Sequence, residues 1–343
     1  MALLWIDGCS HYSSTNDKTY TGYSFGTSST TRRSGARSIR CQSSVRNVTF
    51  QKPIELTDRT VIVGGAIYVP VTIGYGDNAR VFAFEDSNND DVCEAWINQD
   101  TSVSIYYDNT LVGTTDVGKH NVGEWHYYEL KYVKDTTNGL VELRMDGDPT
   151  PVLTYSGDTE TATGDVTRVG LPNNTGDFVT NSQYIMDIYI LDGSGSENND
   201  YLGDIRVDTH YPNGDNSVDF TPSSGTSNYL LLDEQFSDND TTFVESGTVL
   251  AKDLYSMNNL TLTTQIYGVQ LSADMRKTDS GTVTTALISN DGVNNTVWNT
   301  QQIGDNYSME IGIRDTDPSD NTAWTDAKVN ATGFGFRIDG IEP

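Results

Sequence analysis

The run Gly123-Glu124-Trp125-His126-Tyr127-Tyr128-Glu129-Leu130-Lys131-Tyr132-Val133 constrains this chain more than any other. After Asp135-Thr136-Thr137-Asn138-Gly139 comes a second run, Leu140-Val141-Glu142-Leu143-Arg144-Met145-Asp146-Gly147. Tyr128, Leu130 and Tyr132 fall on one face of the first run and Glu129 and Lys131 on the other, the period of two of a half-buried strand. In the second run Val141, Leu143 and Met145 alternate with Glu142 and Arg144, and Asn138-Gly139 supplies residues that tolerate positive φ. Together they read as a hairpin in the middle of a β-sandwich.

The remaining sequence repeats that theme. With 31 Gly and 19 Tyr in 343 residues and no long apolar run at helical spacing, it predicts an all-β protein with many turns and very little helix. Met1–Ile6 reads as a first strand, too short and without the basic leader of a signal peptide or a membrane span. Further strands are expected within 35–41, 60–69, 79–85, 92–98, 103–107, 166–169 and 184–191, of which 60–69 is apolar on both faces, as in a central buried strand. Spacing and turn signals match Greek-key or jelly-roll wiring over residues 1–210. A polar connector is expected over 211–242, then a smaller β-domain over 243–343 with strands at 260–267, 269–276, 283–289, 307–313 and 333–338.

The formal net charge of −27 argues against a nucleic-acid binder, since phosphate contacts need clustered Lys and Arg. Residues 1–60 depart from the average, with eight basic side chains against four acidic ones. Arg32, Arg33, Arg37 and Arg40 are therefore candidate docking residues for an acidic partner surface, against the plainer reading of a solvated basic edge. Cys9, Cys41 and Cys93 are an odd count without zinc-like spacing and are expected to be free, partly buried thiols.

The Trp125 hairpin, with its Gly-x-Trp, aromatic strand, Gly, second strand and Asp-Gly, resembles the laminin-G-like, concanavalin-like jelly roll. A second resemblance lies in the order of several motifs: Leu4-Trp5-Ile6-Asp7-Gly8, Asp187 to Gly195 with Asn198 to Val207, Asp238 to Val244, and Asp317-Pro318 with Ala323-Trp324-Thr325, Val329-Asn330-Ala331 and Gly333-Phe334-Gly335. That order, spanning nearly the whole chain, resembles structural proteins of tailed bacteriophages. One departure is Met186-Asp187, where such proteins often carry two acidic residues, which weakens any shared metal site. The resemblances imply a laminin-G-like (concanavalin-like) jelly-roll sandwich followed by a smaller β-domain. They also imply a non-enzymatic structural protein of the virion, either a tail appendage, baseplate or capsid decoration. Assembly would occur in the host cytoplasm, with other virion proteins as partners, homo-oligomers, and neither nucleic acid nor membrane insertion. The alternative is a host-glycan-binding adhesin of the virion.

Chemistry-bearing motifs are sparse. No Glu-x-Asp-x-x-Glu pairs acids on one strand, and Glu129, Glu142 and Glu310 each stand alone, which speaks against glycan cleavage. His11, His120, His126 and His210 accompany no nucleophile elbow, and no glycine-rich phosphate loop precedes a helix. The acidic loop Asp86-Ser87-Asn88-Asn89-Asp90-Asp91 begins like a calcium loop but carries Asp91 where Gly is needed and Ile97 in place of the bidentate Glu. That loop and 315–320 are read first as turns, so no cofactor is expected. Glycan contact, if present, needs an exposed aromatic platform, for which Trp96, Tyr106 and Tyr107 are the candidates, with Trp298 a further one.

Overall fold

A computed structural model describes residues 2–342 except 16–17, 19, 42–49, 71–77, 161–163, 173, 176–181 and 262–264. Arg46, one of the eight basic residues counted in 1–60, and part of the expected strand 260–267 lie outside the described residues. The chain divides into two compact units, Met1–Asp208 and Thr209–Pro343.

The longer strands of the first unit are β1 (Leu3–Asp7), β2 (Ser38–Cys41), β3 (Phe50–Pro53), β4 (Thr60–Tyr68), β5 (Asn78–Glu85), β6 (Asp91–Ile97) and β7 (Val103–Tyr107). They continue with β8 (Thr110–Thr114), β9 (Trp125–Val133), β10 (Gly139–Met145), β11 (Leu153–Gly157), β12 (Arg168–Gly170) and β13 (Gln183–Asp192). One sheet runs β11-β10-β9-β4-β13-β2 with β1 beside β13, and the other runs β8-β7-β6-β5-β12-β3. All pairings are antiparallel, and chain neighbours are often not sheet neighbours, as jelly-roll wiring requires. The inner faces meet through Phe84 and Tyr107 of one sheet and Tyr132 of the other, at ring separations of 6.4 and 6.3 Å.

The predicted hairpin forms as β9 and β10, with Leu130 opposite Leu143 and Tyr132 opposite Val141. Three details differ from the sequence reading. Neither Asn138 nor Gly139 has positive φ; Asp135 organises the turn by accepting from the Thr137 and Asn138 amides, and Gly139 is small because a Cβ would strike Thr159 and Gly157. Glu129 is not a solvent-facing residue. The Tyr189 hydroxyl reaches it across Gly64, where a Cβ would enter the Tyr189 ring, and the Gly203 amide also donates to it at 2.8 Å. Trp125, which its place in the hairpin's Gly-x-Trp motif makes an expected core residue, is instead half-buried against Tyr68, 5.4 Å between rings.

In the second unit the strands are β14 (Pro212–Val218), β15 (Lys252–Met257), β16 (Val269–Met275), β17 (Thr282–Asn290), β18 (Asn295–Ile303), β19 (Ser308–Arg314) and β20 (Gly333–Glu342), with a short helix α1 (Asp326–Ala331) before the last. One sheet runs β14-β15-β20-β17-β18, and β16 pairs with β19. Leu271, Leu287, Trp298, Trp324 and Phe334 form its main core cluster. The passage expected as a connector thus begins with a strand of this unit, since Pro212–Val218 pairs with Lys252–Met257. Leu260–Tyr267 is not a strand in the described residues. The Asn330 side chain holds both the N–H and the C=O of Leu260, at 2.7 Å each, and only Ile266 bridges, to Trp324. No helix among the described residues is long and apolar enough to cross a membrane.

Candidate functional site

The outer faces of the two sheets in the first unit differ. On the first, residues 200–208 lie over the strands. Lys131 meets Asp200 at 2.9 Å and Arg144 sits 3.8 Å from the Tyr201 ring centre. Arg33 grips both oxygens of buried Asp187 at 2.6 and 2.8 Å and also meets Asp208 and the Val207 carbonyl. Arg32 binds both oxygens of Asp204 at 2.7 Å. Arg37 bonds Thr27 and exposed Arg40 bonds Ser182. Arg32 and Arg33 therefore do not present a free cationic surface: their guanidinium groups are neutralised by the chain's own carboxylates.

The second sheet carries a different set of groups outward. Its register places Ala83 of β5 opposite both Gly170 of β12 and Glu94 of β6, and Glu94 opposite Tyr106 of β7. Alternation then puts Arg80, Ala83, Glu85, Glu94, Trp96, Ser104 and Tyr106 on one face, while Phe84, Ala95, Ile105 and Tyr107 point into the core. A bulge between Arg80 and Phe82 is what brings Arg80 onto the outer face beside Trp96.

Arg80 is 5% exposed and its Nη1 lies 2.9 Å from Glu85 and 3.4 Å from Asp91. Gln51 of β3 donates to Glu85 and, at 3.2 Å, to Asn89. Gly170 is required beside them, because a Cβ there would meet the Glu85 carboxylate and the Arg80 guanidinium. Nε and Nη2 of Arg80 and Oε2 of Glu94 are buried without a hydrogen-bond partner. Such groups are uncommon in folded proteins, because each costs free energy when left unpaired in a low-dielectric interior. Burial, reinforced by Asp91, pushes the Glu94 carboxyl up to about 7 against the opposing Trp96 indole and Arg80. Burial also raises Glu85 and Asp91, despite Arg80.

Past this cluster the face becomes aromatic and then polar. Trp96 and Tyr106 are half-buried, and Leu111, opposite Tyr106, is 52% exposed. Beyond Trp96, Asn98 donates to Ser102 and Ser104 at 2.9 and 2.7 Å, and Ser104 pairs with Thr114 at 2.9 Å. Here a shallow depression of about 550 Å³ is lined by Asn78, Asn98, Gln99, Asp100, Ser102 and Thr114.

Of the three aromatic candidates, then, Trp96 and Tyr106 share this face and Tyr107 does not. Tyr107 stacks inward on Tyr132 and on Tyr155, the latter at 5.7 Å. Trp298 is a core residue, 5% exposed between Trp324 and Phe334. Asp86 is occupied as a turn-former, its carboxylate accepting from the Asn88, Asp90 and Gly164 amides, which hold it below the usual range. Among the described residues no group of three or more His, Cys, Asp or Glu is placed to hold a metal. The three cysteines are free and fully buried. Sequence reasoning missed Arg80, Glu85 and Glu94; the available signals were Arg80 inside an apolar strand and Glu94 one position from the core-facing Ala95.

Glu94 carries a pH signature. Its folded value lies above the ordinary 4.5, so the folded state holds the proton more tightly and its contribution to stability is lost as pH rises from 4.5 to about 7. Glu94→Gln is expected to melt with the wild type near pH 4.5 and above it at pH 8. Thermal unfolding at both values checks this, and parallel curves for the two proteins would refute it.

No protein-family model matches the chain, and no curated protein matches it. Solved structures that it resembles include lectin I from Ulex europaeus in complex with the methyl glycoside of α-L-fucose, at 10% identity and a TM-score of 0.38, over 55% of this chain and 96% of that one. Another is the winged bean acidic lectin complexed with methyl-α-D-galactose, at 14% identity and a TM-score of 0.37, over 54% and 96%. A third is an alginate lyase of polysaccharide lyase family 7, at 10% identity and a TM-score of 0.33, over 45% and 77%. Scores of this size carry no assignment of activity. On its own strand order and register, the chain is an all-β protein built on a concanavalin-like jelly-roll sandwich.

Proposed function

We propose that the first unit binds neutral oligosaccharide on the outer face of its second sheet. One observation carries the reading: half-buried Trp96 and Tyr106 stand beside a buried polar cluster in which Arg80 Nε and Nη2 and Glu94 Oε2 lack partners. Sugars offer an apolar ring face for stacking and hydroxyls that both donate and accept. Trp96 and Tyr106 supply the apolar surface and the partly exposed Glu94 and Asn98 the polar groups, while buried Arg80 holds Glu85 and Asp91 in place beside them. Glu85, Asp91 and Glu94 outnumber Arg80, which disfavours uronate or sulfated chains.

The setting we propose is the particle of a tailed phage, where other virion proteins hold the chain and the ligand is host-surface glycan. The ordered sequence motifs support that setting. Binding of the purified protein to an array of neutral and acidic glycans tests the activity, with neutral glycans expected to dominate. A blank array, or one dominated by acidic glycans, would sink it. Release of new reducing ends from bound glycan, lost in Glu94→Gln, would replace binding by cleavage.

A further inference from the structure

The end of β1 holds a buried charge pair that the proposed glycan face does not use. Lys18 Nζ lies 3.2 Å from Asp7 Oδ1, and both side chains are 0% exposed. The other carboxylate oxygen, Oδ2, accepts from the Tyr12 and Tyr20 hydroxyls at 2.8 and 2.7 Å, and the Cys9 amide donates to Oδ1 at 2.7 Å. The Trp5 ring lies 4.8 Å from Nζ, and Tyr20 packs on Trp5 and Phe50. Close by, both ring nitrogens of His11 are buried without a hydrogen-bond partner, and the ring packs edge-on against Tyr12. Burial and Lys18 push His11 down to about 3, so it stays neutral.

We propose that Lys18 and Asp7 condense into an intramolecular amide that staples the end of β1 to the following loop. Burial lowers the proton affinity of the lysine, favouring the free amine, although Asp7 opposes it; against its own burial, Lys18, His11 and the Tyr20 and Cys9 hydrogen bonds hold the Asp7 carboxyl below its ordinary range, so the proton transfer that starts the reaction is uphill. From the ion pair, one ammonium proton passes to Oδ1, leaving an amine beside a carboxylic acid. Nζ attacks Cγ, and the carbonyl electrons move onto Oδ2, where the Tyr12 and Tyr20 hydroxyls hold the developing charge. A second nitrogen proton then passes directly from Nζ to Oδ1, which starts 3.2 Å away. The Cγ–Oδ1 bond then breaks, water departs, and the amide keeps the third proton. Atoms and charge balance with no oxidant or co-reactant. Fixed proximity speeds the step, since well-oriented intramolecular groups reach effective concentrations on the order of 10⁵–10⁸ M. The amide also removes two buried charges, each of which carries a desolvation penalty.

The intact mass of the full chain, measured after denaturation, tests this. The wild type is expected to fall short of its sequence mass by one water, and digestion in denaturant should yield a branched peptide joining positions 7 and 18. Lys18→Met and Asp7→Ala should have full mass; the reading needs no folded variant. A wild type of full mass overturns the proposal. So does a water loss that persists in Lys18→Met, which would point to cyclisation of Asp7 onto the Gly8 amide instead.

Discussion

Asp187→Ala is expected to lower the stability of the first unit by about 3–5 kcal/mol, the range for removing one partner of a buried ion pair. Asp187 is 0% exposed and receives both Nη groups of Arg33 and the Val207 amide. Deleting the carboxylate leaves the Arg33 charge without its main partner and releases the segment around Val207. At this size the loss corresponds to a fall in Tm on the order of 10 °C. Backbone conformation adds to it, since Asp187 has φ of 55°, a region alanine adopts less readily than aspartate or asparagine. Asp187→Asn, which tolerates that φ and keeps the shape, should fall between alanine and the wild type. Differential scanning calorimetry decides the matter, and an alanine variant melting with the wild type would show that the Arg33 network adds nothing net.

Trp96→Ala is expected to weaken oligosaccharide binding at least tenfold, since truncating a central aromatic contact commonly removes 2 kcal/mol or more, roughly. The fold should survive, because Trp96 is half-buried on the outer face. Tyr107→Ala provides the contrast. It removes a ring stacked on Tyr132 and Tyr155 and should destabilise the sandwich while leaving the binding face in place. Calorimetric titration beside a melting curve separates the two effects. Equal affinity losses from Trp96→Ala and Tyr107→Ala, with equal losses of stability, would mean that both act through the fold.

The sandwich was legible in the sequence where side-chain alternation is regular. β9 and β10 occupy the runs that open the sequence reading, and β4, β5, β6, β7 and β13 fall within two residues of expectation at either end. What escaped was set by partners distant in the chain. β14 is a polar strand interrupted by two bulges, so Pro212-Asn213-Gly214-Asp215-Asn216 reads as turns until β15 pairs with it. The polar cluster draws Gln51, Arg80, Glu85 and Glu94 from three strands, and a search for two acids along one strand cannot see it. Arg32 and Arg33 show the converse effect of distant partners. A local excess of positive charge reads as a surface, but folding brings Asp187, Asp204 and Asp208 against it.

The central claim, that the outer face around Trp96 is a sugar site, is tested most directly by mapping amide and indole chemical shifts. The probe would be millimolar methyl glycosides of glucose, galactose, mannose and fucose, added to isotope-labelled protein. The account predicts perturbations at the Trp96 indole and at the amides of Glu94, Ser104, Tyr106 and Gly170, with residues 209–343 unchanged. Spectra that do not move with any of the four sugars, or that move only away from this face, would contradict it.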